Sequence, residues 1–119
     1  MFEKNMRISY LVDVYDSLLD EHTKSIMRAY YEDDLSLSEI AQGENISRQG
    51  VRHIIKKCEE QLELFEKGLG LAEHYSKLEG AREELTIIAR ELSAMGGTEL
   101  CDFAERILSS VRGLSERNS

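Results

Sequence analysis

Proline is absent from the sequence. A proline inside a helix removes a backbone hydrogen bond and clashes with the preceding turn. Nothing of that kind interrupts the stretches whose apolar residues recur with a 3.6-residue period, so the expected fold is all-α. Cysteine is nearly as scarce. Cys58 and Cys101 are the only two, neither lies in a CxxC or Cys/His cluster, and His22, His53 and His74 stand far apart. That spacing argues against a zinc site.

A long apolar run is missing as well. The start, MFEKNMRISYLVDVYDSLLDEH, is interrupted by Arg7, Asp13 and Asp16, so it reads as neither a signal peptide nor a membrane span. With free thiols and no export signal, the expected setting is a reducing cytoplasm. Positive charge is in deficit: 15 Lys and Arg face 23 Asp and Glu, for a formal net charge of -8. Such a balance repels phosphate at long range and excludes indiscriminate nucleic-acid binding. Any contact with nucleic acid has to be local. No nucleophile is paired with a base and no GxxxxGK loop occurs, so neither catalysis nor a cofactor is expected.

The 119 residues are enough for one domain, and a chain of this size buries roughly two thirds of its unfolded surface. Ile8, Leu11, Val12, Tyr15, Leu18 and Leu19 predict a first amphipathic helix ending near Asp20. Ile26, Met27, Tyr30 and Tyr31 give the apolar side of a second, closed by EDDLS. The two tyrosines suit either a core role or an interaction patch. Ser36 and Glu39 form a capping box that starts a short third helix with Ile40 and Ala41 inward. GEN breaks that helix, with Asn45 able to take the left-handed conformation of a tight turn.

Ser47 caps a fourth helix, along which Val51, Ile54, Ile55, Cys58, Leu62, Phe65, Leu69 and Ala72 keep to one stripe. Cys58 falls on that stripe as a packing residue. Gly68 and Gly70 either bend this long helix or break it. Beyond them, Leu85, Ile88, Ala89, Leu92 and Met95 line one helix, and Gly96 and Gly97 stop it. Thr98 caps the next, lined by Leu100, Phe103, Ala104, Ile107, Leu108 and Val111, and Gly113 ends it. The reading is therefore an N-terminal bundle over 1–67 with a helix-turn-helix at 36–57, and a helical extension over 68–113. That extension packs on the bundle or on a dimer partner, and a frayed tail covers 114–119.

Stepping the fourth helix at 100° per residue gathers Gln49, Arg52, His53, Lys56 and Lys57 opposite the apolar stripe. From Arg48 to Lys57 there are cations and no carboxylate. Arg suits guanine, Gln suits adenine, and Lys together with the helix start suits phosphate. The nucleic-acid-binding set is therefore Arg48, Gln49, Arg52, His53, Lys56 and Lys57. His53 reads first as a surface residue and second as a phosphate contact. The competing reading is a solvated face in which Lys56 pairs with Glu59 or Glu60 and Lys67 with Glu63. Three or four phosphate contacts give a salt slope of only about -3 to -4, where firm operator binders make roughly six to ten. A second copy, a tethering partner or a shaped RNA target would make up the difference.

The run YYEDDLSLSEIAQGENISRQGVRHIIKK, Tyr30 to Lys57, resembles the YlxM family of small bacterial helix-turn-helix proteins, through Tyr30, Tyr31, Asp33, Asp34, Ser36, Leu37, Glu39, Ile40, Ala41, Ser47, Arg48, Gln49, Val51, Ile55 and Lys56. The resemblance implies a fold similar to region four of sigma factors. It also implies a link to the signal recognition particle, its GTPase or its RNA. Gly50, Arg52, His53 and Ile54 stand where family members commonly carry Ala, an aromatic, Asp and Asn, which makes this helix more basic than usual. A DNA-reading transcription regulator is the alternative function.

Overall fold

Four helix starts carry side-chain caps, all of them short polar residues, and two, Ser36 and Ser47, are those read from the sequence. The computed structural model describes residues 5–115. Helix α1 (Met6–Tyr15) opens on Asn5, whose Oδ1 accepts from the Arg7 amide at 2.9 Å. Helix α2 (Glu21–Tyr31) opens on Asp20, which accepts from the Thr23 amide at 2.7 Å. Helix α3 (Leu37–Glu44) has the full capping box of Ser36 and Glu39. Helix α4 (Arg48–Leu69) opens on Ser47, whose Oγ accepts from the Gly50 amide at 2.9 Å. Each cap satisfies an amide that has no partner within its helix, a gain of about 1 kcal/mol.

Two more helices complete the described chain, α5 (Leu71–Ala94) and α6 (Thr98–Ser115). The chain divides into two compact units, the first ending at Ala72 and the second beginning at Glu73. All described regular structure is helical, in line with the all-α helix-turn-helix bundle read from the sequence.

In the first unit, α4 lies against α1, α2 and α3. The core holds Leu11, Val12 and Tyr15 of α1, Ile26 and Met27 of α2, Ile40 and Ala41 of α3, and Val51, Ile55, Cys58 and Leu62 of α4. Burying a side chain of Leu or Ile size stabilises by about 1.5–3 kcal/mol, so these stripes account for why the helices assemble. Outside the core, the Arg28 guanidinium bridges Asp13, Asp16 and Glu32 and so ties α2 back to the end of α1.

Several boundaries differ from those read in the sequence. The first helix stops at Tyr15, and a 3-10 turn (Asp16–Leu18) leads to Leu19 in extended conformation. Leu18 is left 53% exposed, because the tighter turn swings it off the apolar stripe that Leu19 rejoins. Gly43 and Glu44 are still helical; Asn45 alone breaks α3, with φ 58°. Leu69 lies outside the core at 59% exposure, whereas Ala72 is buried, because Gly70 resets the direction of the chain between them. Thr98 is the first residue of α6 and not its cap. Gly113 does not end α6, since a glycine weakens an exposed helix interior by only about 1 kcal/mol. Leu114 and Ser115 are helical, and the rest of the expected frayed tail lies outside the described residues.

The α4–α5 joint is built from polar groups inside the first unit. The Tyr15 hydroxyl donates to Glu66 Oε1 at 2.6 Å and accepts from the Leu71 amide at 3.1 Å. The same Glu66 oxygen accepts from the Ala72 amide at 3.0 Å. Gly70, at φ 62°, makes the turn that brings these amides around to face Tyr15 and Glu66. The first amides of α5 are thus satisfied by the Tyr15 hydroxyl at Leu71 and by the Glu66 carboxylate at Ala72.

Candidate nucleic-acid interface

Helix α4 begins the site. Ser47 fixes its first turn, and Asn45 in left-handed conformation sets the angle at which α4 leaves α3. Val51, Ile55 and Cys58 point into the core at 0%, 5% and 1% exposure. Those anchors orient the opposite face outward. Arg48, Gln49, Arg52, His53, Lys56 and Lys57 are all exposed. Residues four apart on a helix are neighbours, so Arg48, Arg52 and Lys56 form one row and Gln49, His53 and Lys57 a second beside it.

The cations of this face are not neutralised. Among the described residues Arg7, Lys24 and Arg28 are drawn into ion pairs, whereas no ion pair involves Arg48, Arg52, Lys56 or Lys57. The pairs that a solvated face would form, Lys56 with Glu59 or Glu60 and Lys67 with Glu63, are absent among the described residues. Two of these carboxylates are engaged on the far side of α4. Glu59 accepts the Tyr31 hydroxyl at 2.9 Å, and Glu63 accepts Arg7 Nε at 3.0 Å and Nη2 at 3.2 Å. Side chains from α2 and α1 therefore engage Glu59, the neighbour of Lys56, and Glu63, the neighbour of Lys67.

The surroundings are stiff. Burial and the Glu59 hydrogen bond hold the Tyr31 phenol far above its usual range. Tyr30 meets the Tyr31 ring edge-on at 5.0 Å, so this pair is half-buried packing. Burial pushes the Cys58 thiol up to about 11, which fits its place in the core. Among the described residues no three His, Cys, Asp or Glu side chains stand close enough to hold a metal ion.

Next to the start of α4 the surface dips into an open depression lined by Ser38, Ala41, Gln42, Asn45, Ser47 and Arg48. Ser38 and Gln42, both exposed on α3, line this depression and were not among the residues read from the sequence. Their signal was present: polar residues four apart on the outer side of the first helix of the motif share a face.

Residues 2–94 match the family described as "Putative helix-turn-helix protein, YlxM / p13 like". A UPF0122 protein of Clostridium acetobutylicum is 34% identical over 112 residues, covering 91% of this chain and 97% of that protein. A UPF0122 protein of Geobacillus kaustophilus is 38% identical over 109 residues, covering 80% of this chain and 99% of that one. A Listeria innocua relative is 42% identical over 85 residues, covering 71% and 77%.

Proposed function

The chain belongs to the YlxM-like helix-turn-helix family, and we propose that it is a non-enzymatic regulator that binds nucleic acid through the outer face of α4. The observation that supports this is the pair of rows Arg48–Arg52–Lys56 and Gln49–His53–Lys57, exposed and without carboxylate partners among the described residues. Arg and Lys engage phosphate, Arg and Gln read base edges, and the Ser38–Gln42 depression adds polar groups beside them.

The setting proposed is the cytoplasm and the target the signal recognition particle, by way of its RNA or its GTPase. The resemblance of residues 30–57 is the ground for that target. An acidic chain with one cationic face suits a folded RNA better than a long duplex, because contact is confined to one patch. Four cations correspond to a salt slope of about -3 to -4, and a second copy would double the number of phosphates reached.

Crosslinking and sequencing of nucleic acid bound to the protein in cells tests the reading. Recovery of the particle's RNA, lost in the doubly charge-reversed variant R52E/K56E, supports it. Failure to recover any nucleic acid, with neither particle RNA nor GTPase co-purifying, overturns it. The second reading is duplex DNA, favoured by the position of Gln49 and Arg52 in the first turns of α4. A recognition helix touches base edges with its N-terminal residues. Enrichment of one sequence from random duplexes would select this alternative.

A further inference from the structure

The chain has three histidines, and two of them are engaged. His22 Nε2 lies 3.1 Å from Glu44 Oε1, and the His74 ring meets that of Tyr75 at 6.2 Å between centres. His53 has neither a hydrogen bond nor an ion pair among the described residues. It is exposed, two residues beyond the fully buried Val51. Two residues are about 200° of turn on an α-helix, so the ring points almost directly away from the core.

What surrounds the ring is cationic. Lys56 and Lys57, three and four residues on, and Gln49, four residues before, are its helical neighbours, and Arg52 precedes it in sequence. No carboxylate occurs from Arg48 to Lys57, and Glu60, on the same side, lies two turns on, about 10 Å along the axis. Among the described residues no other helix brings a charged partner to the ring. The polar side chains of α1 and α2 meet α4 further along, Tyr31 at Glu59, Arg7 at Glu63 and Tyr15 at Glu66. On the α3 side, the depression beside Arg48 is lined by Ser38, Ala41 and Gln42, none of which ionises.

Histidine is the side chain whose charge changes between about pH 5 and 8, whereas Lys and Arg keep theirs throughout that range. A phosphate drawn to Lys56 and Lys57 comes within reach of the ring beside them. It favours the imidazolium, which donates a charge-assisted hydrogen bond to it. We infer that, on an α4 face that binds nucleic acid as proposed above, His53 is a proton-linked phosphate contact: binding takes up a proton there and tightens as pH falls. Arg48, Arg52, Lys56 and Lys57 are then the permanent cations of the face, and His53 is one that acidity switches on.

One added phosphate contact steepens the salt slope by about 0.7–0.9, equivalent to a gain of about five- to eightfold in affinity at roughly 0.1 M salt. Fluorescence anisotropy of the full chain with a labelled RNA hairpin and with a labelled DNA duplex, both at low salt, selects the tighter probe. Its salt slope is then compared at about pH 6 and about pH 8. The wild type should show the steeper slope only at the lower pH. H53Q should keep the shallower slope at both pH values and H53R the steeper one at both, with circular dichroism unchanged. H22Q and H74Q should retain the wild-type difference, which separates His53 from the other two histidines. A wild-type slope that is the same at both pH values, or a pH difference that survives in H53Q, overturns the proton-linked contact while the α4 face stands as a binding surface. Absence of binding to either probe at low salt overturns both.

Discussion

The Tyr15 phenol and the Glu66 carboxylate meet at 2.6 Å, joining the last turn of α1 to the last turn of α4. Tyr15 is 1% exposed, and its hydroxyl also accepts from the Leu71 amide. One oxygen therefore serves three helices. Replacing Tyr15 with Phe keeps the ring in place and leaves the Leu71 amide without that acceptor. An unsatisfied buried donor costs about 1–3 kcal/mol. Urea unfolding of Y15F should show a lower midpoint with an unchanged slope. Tyr10, 39% exposed and 3.4 Å from the Ala72 carbonyl, makes a weaker link, and Y10F should cost less.

Gly68 and Gly70 should respond to alanine with opposite signs. Gly68 is inside α4 and a Cβ there meets nothing within 4 Å, so G68A should stabilise by about 0.5–1 kcal/mol through helix propensity. Gly70 is also open to a Cβ, but its φ is 62°. A side chain in left-handed conformation costs about 1–2 kcal/mol, so G70A should destabilise. Thermal unfolding of the two variants side by side checks the pair. Equal and favourable effects would mean that α4 runs on through Gly70.

Those two glycines also mark where the sequence stops being legible. Helix starts and buried stripes could be read because Ser36, Ser47 and the Val51–Ile55–Cys58–Leu62 spacing act locally. Which glycine ends α4 could not, since the choice depends on Tyr15, more than fifty residues away, accepting the Leu71 amide. The site divides in the same way. Helical spacing alone places the Arg48 to Lys57 face outward. That Glu59, three residues after Lys56, is engaged by Tyr31 on another helix is a contact with no signal in local spacing.

Asp20 gives the pH response a definite direction. Its carboxylate accepts from the Thr23 amide, and hydrogen bonding to Thr23 holds its pKa below the ordinary aspartate value of 3.8. A group whose pKa is depressed on folding stabilises the native state above its unfolded pKa. It loses that contribution as pH falls through the folded value. In D20N the cap keeps an acceptor oxygen but not the charge. Urea midpoints of the wild type and D20N should differ at neutral pH and converge below pH 3.8. A gap that stays constant down to pH 2 would refute the assignment.

Tyr31 should influence nucleic-acid binding without touching the ligand. Its hydroxyl holds Glu59 at 2.9 Å on the core side of α4, and Glu59 is three residues after Lys56, within reach on a helix. Y31F removes that tether and frees the carboxylate to swing toward Lys56. One cation of the face would then be partly neutralised. The salt slope of binding should shrink by up to about 0.9, the share of one phosphate contact. Affinity at low salt should fall with it. Adding E59Q to Y31F removes the competing charge and should restore the original slope, while E59Q alone should leave it unchanged. This cycle separates charge from fold, because a loss caused by loosened packing around Tyr31 would persist in the double variant.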